Sequence, residues 1–362
     1  MTGRLSRRDV LALVAASGGA GLAALAGTSR GLAAFVQTSL PPARPVAFSK
    51  GAVVRTLLKD VPPESLSGGP VLFHEHLSMH YPPQAKEHFT DDVSMMIDEV
   101  RAAGKDGISC IVDGGHPDMS RNIDALQRIA AESGVAIVAS GGYYMQRTYP
   151  PEIAGKSAAQ IADELAREAV EQRLGAFGEI GQQSGVLTDD EKKVFEAVAR
   201  AHARTGLPNF THNAYTGTRP TQNPVPPDAA LRQLDVLEDA GAKPEHIAIG
   251  HVCCLDDPKA EIAKQIAKRG AFVGFDRVTI PIVPDAERVT MIMAMVEAGY
   301  ADRVLISSDF AVANSLKKNG GAGLAQASTV FGPMLLNAGL PAATLHHILV
   351  DNPRRFLAFV PR

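Results

Sequence analysis

The chain has 362 residues, which at about 150 residues per domain gives a prior of roughly two domains, although single α/β domains of about 250 residues or more are common. Hydrophobic residues make up 45% and charged residues 21%, so a large core can form and global disorder is excluded. A formal net charge of -3, 5% aromatic residues and no Trp leave neither a basic field nor a base-stacking surface, so nucleic acid is excluded as a partner.

The N-terminus reads as an export signal outside the fold. Arg4, Arg7 and Arg8 make a basic start, with a twin arginine in the run SRRDVL. Val10 to Ala26 is rich in Ala, Gly and Leu. It is shorter and less apolar than the ~20 residues a membrane helix needs. The expectation is a twin-arginine signal over residues 1–34, cleaved after Ala26 or Ala34. An uncleaved anchor and a misassigned start are the alternatives. The signal implies recognition by the twin-arginine machinery and export of the folded protein to the periplasm or beyond. No stable membrane insertion is expected after cleavage.

From Gly69 onward, short apolar runs alternate with segments of helical periodicity. The runs are Pro70–His76, Ser109–Gly114, Val135–Gly141, Leu174–Ile180, Leu207–His212, Ile247–His251, Ala271–Phe275 and Val304–Asp309. Between them, Asp92–Ala103 puts Val93, Met96, Ile97 and Val100 on one stripe. Ala159–Arg173 does the same with Ile161, Leu165, Ala166 and Ala169, and a later segment with Ile262, Ile266 and Ala267. Eight strand–helix units predict a parallel sheet closed into a (β/α)8 TIM barrel over residues 69–362. A doubly wound open sheet is the alternative, but no Gly-x-Gly-x-x-Gly follows the first strand. Residues 35–68 are an extension, with Ala52–Leu66 a short hairpin or strap across the barrel bottom. The C-terminal DNPRRFLAF predicts a last helix with Asp351 near its N-cap and Pro353 in its first turn. Longer loops, Ala214–Pro227 and Phe310–Gly323, follow the fifth and eighth strands on the C-terminal face, where such barrels carry their active sites.

Metal-binding side chains fall at the ends of these strands. In VLFHEHL, His74 and His76 are two apart and point to one side, into the barrel, while Glu75 points away. The fourth strand, LGAFGEIG, carries Glu179. The fifth ends in His212, the sixth in His251 and the eighth in Asp309. A lone histidine at a strand end is usually a hydrogen-bonded core residue. Four histidines and two carboxylates converging on one barrel end would instead carry uncompensated desolvation and repulsion, which divalent cations resolve. His116 falls at the rim, and His80 and His88 line the mouth. His202 lies in a helix, while His246, His346 and His347 read as surface or helix-end residues. Cys110, Cys253 and Cys254 lack zinc-ribbon spacing and are too few for a disulfide framework, so they read as buried thiols.

The order His-x-His, carboxylate, His, His, Asp resembles the amidohydrolase superfamily. The words FHEHL, GEIG, THNAYTG, IGHVCCLDD, GFDR, ISSDF and NPRRFL resemble the phosphotriesterase family over about Ala52 to Phe359. TatD-type nucleases share a similar order, but this chain has no basic stripe for a phosphate backbone. The resemblance implies a centre of two divalent ions, zinc first, with manganese, cobalt or iron as alternatives. One ion would be held by His74, His76 and Asp309, the other by His212 and His251, with Glu179 bridging. Many members bridge with a carboxylated lysine. Glu179 stands here instead, as in a phosphotriesterase-homology branch, which points away from organophosphates. Tyr143, in GGYY, matches an aromatic flanking the substrate, and Arg277, in GFDR, an arginine of the lactonases. The expected chemistry is attack by a metal-bridged hydroxide on a small-molecule ester or lactone, with Asp309 taking the proton. Amide and phosphotriester substrates, and a silent metal-bearing binding protein, are the alternatives. No Gly-x-Ser-x-Gly elbow is present. Monomer and homodimer both remain open.

The export reading makes a direct prediction. Replacing Arg7 and Arg8 together by Lys should retain the protein in the cytoplasm, folded and metal-loaded. Normal export of that variant, measured by fractionation, would show that the twin arginine is not read.

Overall fold

The apolar runs become short strands because each is buried on both faces, between a filled barrel interior and a coat of helices. The computed structural model describes residues 46–81, 90–213, 225–226, 228–255 and 257–362. The signal over 1–34, His88 and most of the loop 214–227 lie outside the described residues. Eight parallel strands run in sequence order: β3 (Val71–Glu75), β4 (Cys110–Asp113), β5 (Ala136–Gly141), β6 (Ala176–Gly181), β7 (Asn209–His212), β8 (Ile247–Ile249), β9 (Phe272–Phe275) and β10 (Val304–Ile306). The first and last meet just past their ends, where Asp309 N donates to His74 O at 3.2 Å and His76 N to Phe310 O at 2.8 Å. The fold is a (β/α)8 TIM barrel.

A helix follows every barrel strand: α1 (Val93–Lys105), α2 (Ile123–Ser133), α3 (Ala158–Glu171), α4 (Asp189–Thr205), α5 (Ala229–Asp239), α6 (Glu261–Lys268), α7 (Asp285–Glu297) and α8 (Gly332–Asn337). Of the expected stripes, Met96, Ile97 and Val100 on α1 and Ile161, Leu165 and Ala169 on α3 are buried, while Val93 and Ala166 are half-buried and Ala103 and Ala162 join the buried faces instead. Starts are set by local chemistry. Asp92 accepts from Met95 N at 3.0 Å, and Ser157 and Thr188 form capping boxes with Gln160 and Glu191. Among the described residues no helix is long and apolar enough to cross a membrane.

Two short strands, β1 (Val54–Arg55) and β2 (Asp60–Val61), pair antiparallel ahead of the barrel. Leu57 N donates to Ile137 O at 2.8 Å, and Val53 pairs with Phe359, so this hairpin lies under the strand starts. Two helices, α9 (Ala342–His346) and α10 (Asn352–Leu357), complete the chain. Pro353 is in the first turn of α10 and Asp351 occupies its N-cap position, as expected, but makes no side-chain capping hydrogen bond. The backbone is already helical there, and the Asp351 carboxylate instead pairs with Arg354 at 2.5 Å. His346 ends α9, as one of the two expected placements, but is buried there.

One apolar cluster takes residues from every barrel strand, among them Phe73, Val112, Val138, Ala176, Phe210, Ala248, Phe272 and Leu305, and continues through Val54, Phe356 and Leu357. Phe73 meets Phe210 and Phe356 edge-on at ring distances of 6.2 and 6.3 Å. This filled interior is the floor on which the polar end of the barrel stands. Phe73→Ala should therefore cost about 3–5 kcal/mol, as buried aromatic truncations do. Urea unfolding would check this; a loss under 1 kcal/mol would mean that the interior is not continuous.

Candidate metal centre

Toward the C-terminal ends of the strands the interior changes from apolar to ionisable, most abruptly on β3, where His74 follows Phe73. On β3, Phe73 faces the interior, so simple alternation would turn His74 outward. A register shift between Leu72 and Glu75 against β4 breaks the alternation and re-aims His74 and His76 into the mouth. A second shift, between Phe177 and Ile180 against β7, does the same for Glu179 above Ala176. His212 ends β7 in regular geometry. His251 and Asp309 were expected at strand ends but lie just beyond them, with φ of 56° and 51°. That left-handed backbone is uncommon for non-glycine residues and bends each chain end back toward the barrel axis.

All six residues converge. His74 Nε2 lies 3.5 Å from Glu179 Oε2 and 3.7 Å from Asp309 Oδ1, and His76 Nε2 lies 3.6 and 3.0 Å from the same atoms. On the other side, His251 Nε2 is 2.7 Å from Glu179 Oε1 and 2.9 Å from His212 Nδ1, and His212 also contacts Glu179 Oε1. The two oxygens of Glu179 thus face two separate groups, His74–His76–Asp309 and His212–His251. The candidate ligand atoms of each group lie within 4.8 Å of one another.

Three further residues, none assigned from the sequence, hold this set in place. Asp276 is fully buried and takes His74 Nδ1 at 2.9 Å on one oxygen and His251 N and Nδ1 at 2.7 and 3.0 Å on the other. Each ring then presents Nε2 to the centre, as a carboxylate behind a metal-ligating histidine does. Asp276 stands beside Arg277 in GFDR, and its alternation with Phe272 and Gly274 was the available signal. Glu75 points away from the centre as expected. It accepts from Ser308 N, Ser308 Oγ and Phe310 N at 3.0, 2.8 and 2.8 Å and so grips the turn that carries Asp309. Tyr144 is the third: its hydroxyl lies 3.3 Å from His212 Nδ1.

The electrostatics ask for cations. Burial pushes the Glu179 carboxyl up, but His212 and His74 outweigh it and hold the group well below the usual range. Burial likewise pulls the imidazoles down; Asp309 and Glu179 reverse this for His76, raised to about 9, and Asp276 and Glu179 for His251, raised to about 10. His212 stays low, at about 4, through burial. Three buried carboxylates are balanced here by protons on histidines, which a divalent cation displaces on binding. His74 Nε2 is buried without a hydrogen-bond partner. The mixed nitrogen and carboxylate donors therefore fit a divalent metal.

The other candidates are distributed around this core. Arg277 Nε pairs with Asp309 Oδ2 at 3.2 Å. Tyr143 does not face the cluster in the described contacts. It packs against Tyr149 at a ring distance of 6.0 Å, because the chain turns at Gly142, φ 128°, and brings Tyr144 inward. His116 is fully buried near Glu179, deeper than a rim position. His80 pairs with Asp91 at 2.7 Å near the surface. His202 is buried and donates to Leu207 O at 2.7 Å. The three cysteines are buried free thiols, with Cys253 and Cys254 sulfurs 3.9 Å apart.

The profile of the phosphotriesterase family matches residues 54–357. The phosphotriesterase homology protein of Escherichia coli is 30% identical over 302 residues, covering 80% of this chain and 97% of that protein. An N-acetyltaurine hydrolase of Bos taurus is 28% identical, covering 84% of this chain and 98% of that one. The crystal structure of a lactonase from Listeria monocytogenes superposes with a TM-score of 0.74 at 25% identity, covering 85% of this chain and 99% of the other. With the ligand order, the barrel and these relatives in agreement, the chain belongs to the phosphotriesterase family.

Proposed function

We propose that this chain is a binuclear metal-dependent hydrolase acting on a small ester or lactone. The observation that carries the reading is Glu179, whose two oxygens face two different sets of nitrogen ligands. His74, His76 and Asp309 would hold one ion and His212 and His251 the other, with Glu179 shared between them. Zinc suits these donors, and manganese, cobalt and iron accept them as well. Such ions, when bound, act as Lewis acids and lower the pKa of water.

The protein's own groups divide the remaining work. Asp309 Oδ1 faces the ligand set, 3.0 Å from His76, while Oδ2 faces the Arg277 guanidinium. At 9% exposure, Asp309 is the most open of the six and can take a proton at the mouth. Arg277 offers positive charge beside it, where an acyl oxygen gains negative charge. Tyr144 orients His212, and Asp276 fixes His74 and His251. The lactonase relative supports the ester or lactone reading. The N-acetyltaurine hydrolase relatives support an amide as the second reading, since the same groups serve either carbonyl.

Two variants test this. Glu179→Gln keeps the size but removes the shared charge. It should lower bound metal, measured by elemental analysis, and reduce kcat by orders of magnitude in a folded barrel. Full metal content with near-normal turnover would make Glu179 a structural acid. Asp309→Asn should lower kcat by roughly 10²–10⁴-fold, the usual size of a general-base effect, with smaller changes in KM. A variant that keeps its metal and most of its rate on the best substrate would overturn this role. A wild type that turns over no ester, lactone or amide yet binds a small molecule tightly would be a binding protein instead.

A further inference from the structure

His116, just past β4, is fully buried, and neither ring nitrogen has a hydrogen-bond partner. The Gly178 carbonyl is near enough to influence the ring but makes no hydrogen bond of ordinary geometry with it. Asp118 Oδ1 is also buried without a partner, 3.7 Å from His116 Nδ1. The buried Tyr149 hydroxyl, within electrostatic reach of Asp118, is a third such group. Leaving polar atoms dry is costly, and an apolar side chain at 116 would avoid the cost. Gly142 lets the backbone after β5 pass close over this group: a Cβ there would stand 3.7 Å from His116 Nε2 and 2.4 Å from Ile180 Cδ1.

The group adjoins the metal centre. Asp118 Oδ2 accepts from Tyr144 N at 2.9 Å and Thr148 Oγ1 at 2.6 Å, and the Tyr144 hydroxyl reaches His212. It therefore reaches the centre through Tyr144 and His212. Its chemistry is selective: a carboxylate oxygen only accepts and repels anions, while a neutral imidazole offers one donor and one acceptor. We propose that His116, Asp118 and the Tyr149 hydroxyl form a polar niche that takes the departing half of the substrate when that half carries an N–H or O–H. This rests on the hydrolase reading above. Cleavage of the acyl bond leaves an alcohol or amine, and both carry the donor that Asp118 and the free imidazole nitrogen lack. The niche admits neutral or cationic leaving groups and turns away anionic ones.

The test uses a matched pair of probes, acetamide and acetate, on the zinc-loaded full chain. Ring signals of His116, identified by their loss in His116→Leu, should shift saturably with acetamide and stay still with acetate. In parallel, kcat/KM is compared for an ester and an amide with the same acyl group. His116→Leu should lower the amide-to-ester ratio about tenfold, the size of one neutral hydrogen bond. Tyr149→Phe, which removes only an oxygen, should move the ratio in the same direction. Unmoved His116 signals with acetamide, or an unchanged ratio in both variants, would overturn the proposal and leave a niche that holds only structural water. Shifted signals in a wild type that hydrolyses nothing would support the niche and overturn the hydrolase reading alone.

Discussion

A single buried carboxylate, Glu179, has to meet histidines from three other strands at once, and the mouth of the barrel is arranged around that requirement. One oxygen lies 3.5 and 3.6 Å from His74 and His76, and the other 2.7 Å from His251. Such distances leave little tolerance for strand slippage. The register shifts on β3 and β6, the left-handed residues at 251 and 309, and the meeting of β3 with β10 all serve to fix it. Asp276 and Glu75 extend the constraint outward. Asp276 ties β3 to the turn after β8, and Glu75 ties β3 to the turn after β10. Neither needs to touch a substrate. Their effect is to remove freedom from the ligands, which is what pre-organises a site.

The barrel separates stability from chemistry along its axis. Below Glu179 the interior is Phe, Val, Leu and Ala, closed underneath by the β1–β2 hairpin and Phe356. At its level and above stand the carboxylates of Glu179, Asp276 and Asp309 and four imidazoles, all buried. Burying so many charges is unfavourable unless each is paired or metal-bound. The apolar floor offsets that cost, and the helices anchor the loops of the upper face. Glu99 on α1 shows how: its carboxylate accepts from Lys317 N and Leu324 N at 3.0 and 3.1 Å, pinning the loop after β10. Ligand geometry thus belongs to the strands, while specificity is left to the loops.

The substrate side is asymmetric for the same reason. Arg277, after β9, places a guanidinium against Asp309 on one flank. His116 and Asp118, from the loop after β4, adjoin Tyr144 of the loop after β5, with the Met79, Met119 and Met145 side chains packed alongside Tyr144. A guanidinium thus stands against Asp309, while an acidic side chain, Asp118, stands behind Tyr144. The barrel itself is shared with the lactonase of Listeria monocytogenes, while an N-acetyltaurine hydrolase is similar to this chain in sequence.

Much of this was already determined by the sequence. Eight apolar runs of strand length, separated by helical periodicity, leave a closed parallel sheet as the way to bury every run. The histidines and carboxylates at the run ends could then only converge on one face. Six ligand candidates were legible because metal sites need particular side chains at particular offsets, and Arg277 was legible from its neighbours. The tertiary structure decided what offset alone cannot. Alternation from Phe73 would have sent His74 outward; the shift in pairing with β4 reverses that, and pairing is a property of two strands rather than one. Asp276 serves two histidines 202 and 25 residues away, and Glu75 a turn more than 230 residues away, so neither role has a local signature. That Tyr144, rather than Tyr143, contacts His212 follows from the turn at one left-handed glycine, Gly142. Side-chain chemistry is written residue by residue, but the direction in which a side chain is aimed depends on the backbone hydrogen bonds its strand makes with its neighbours.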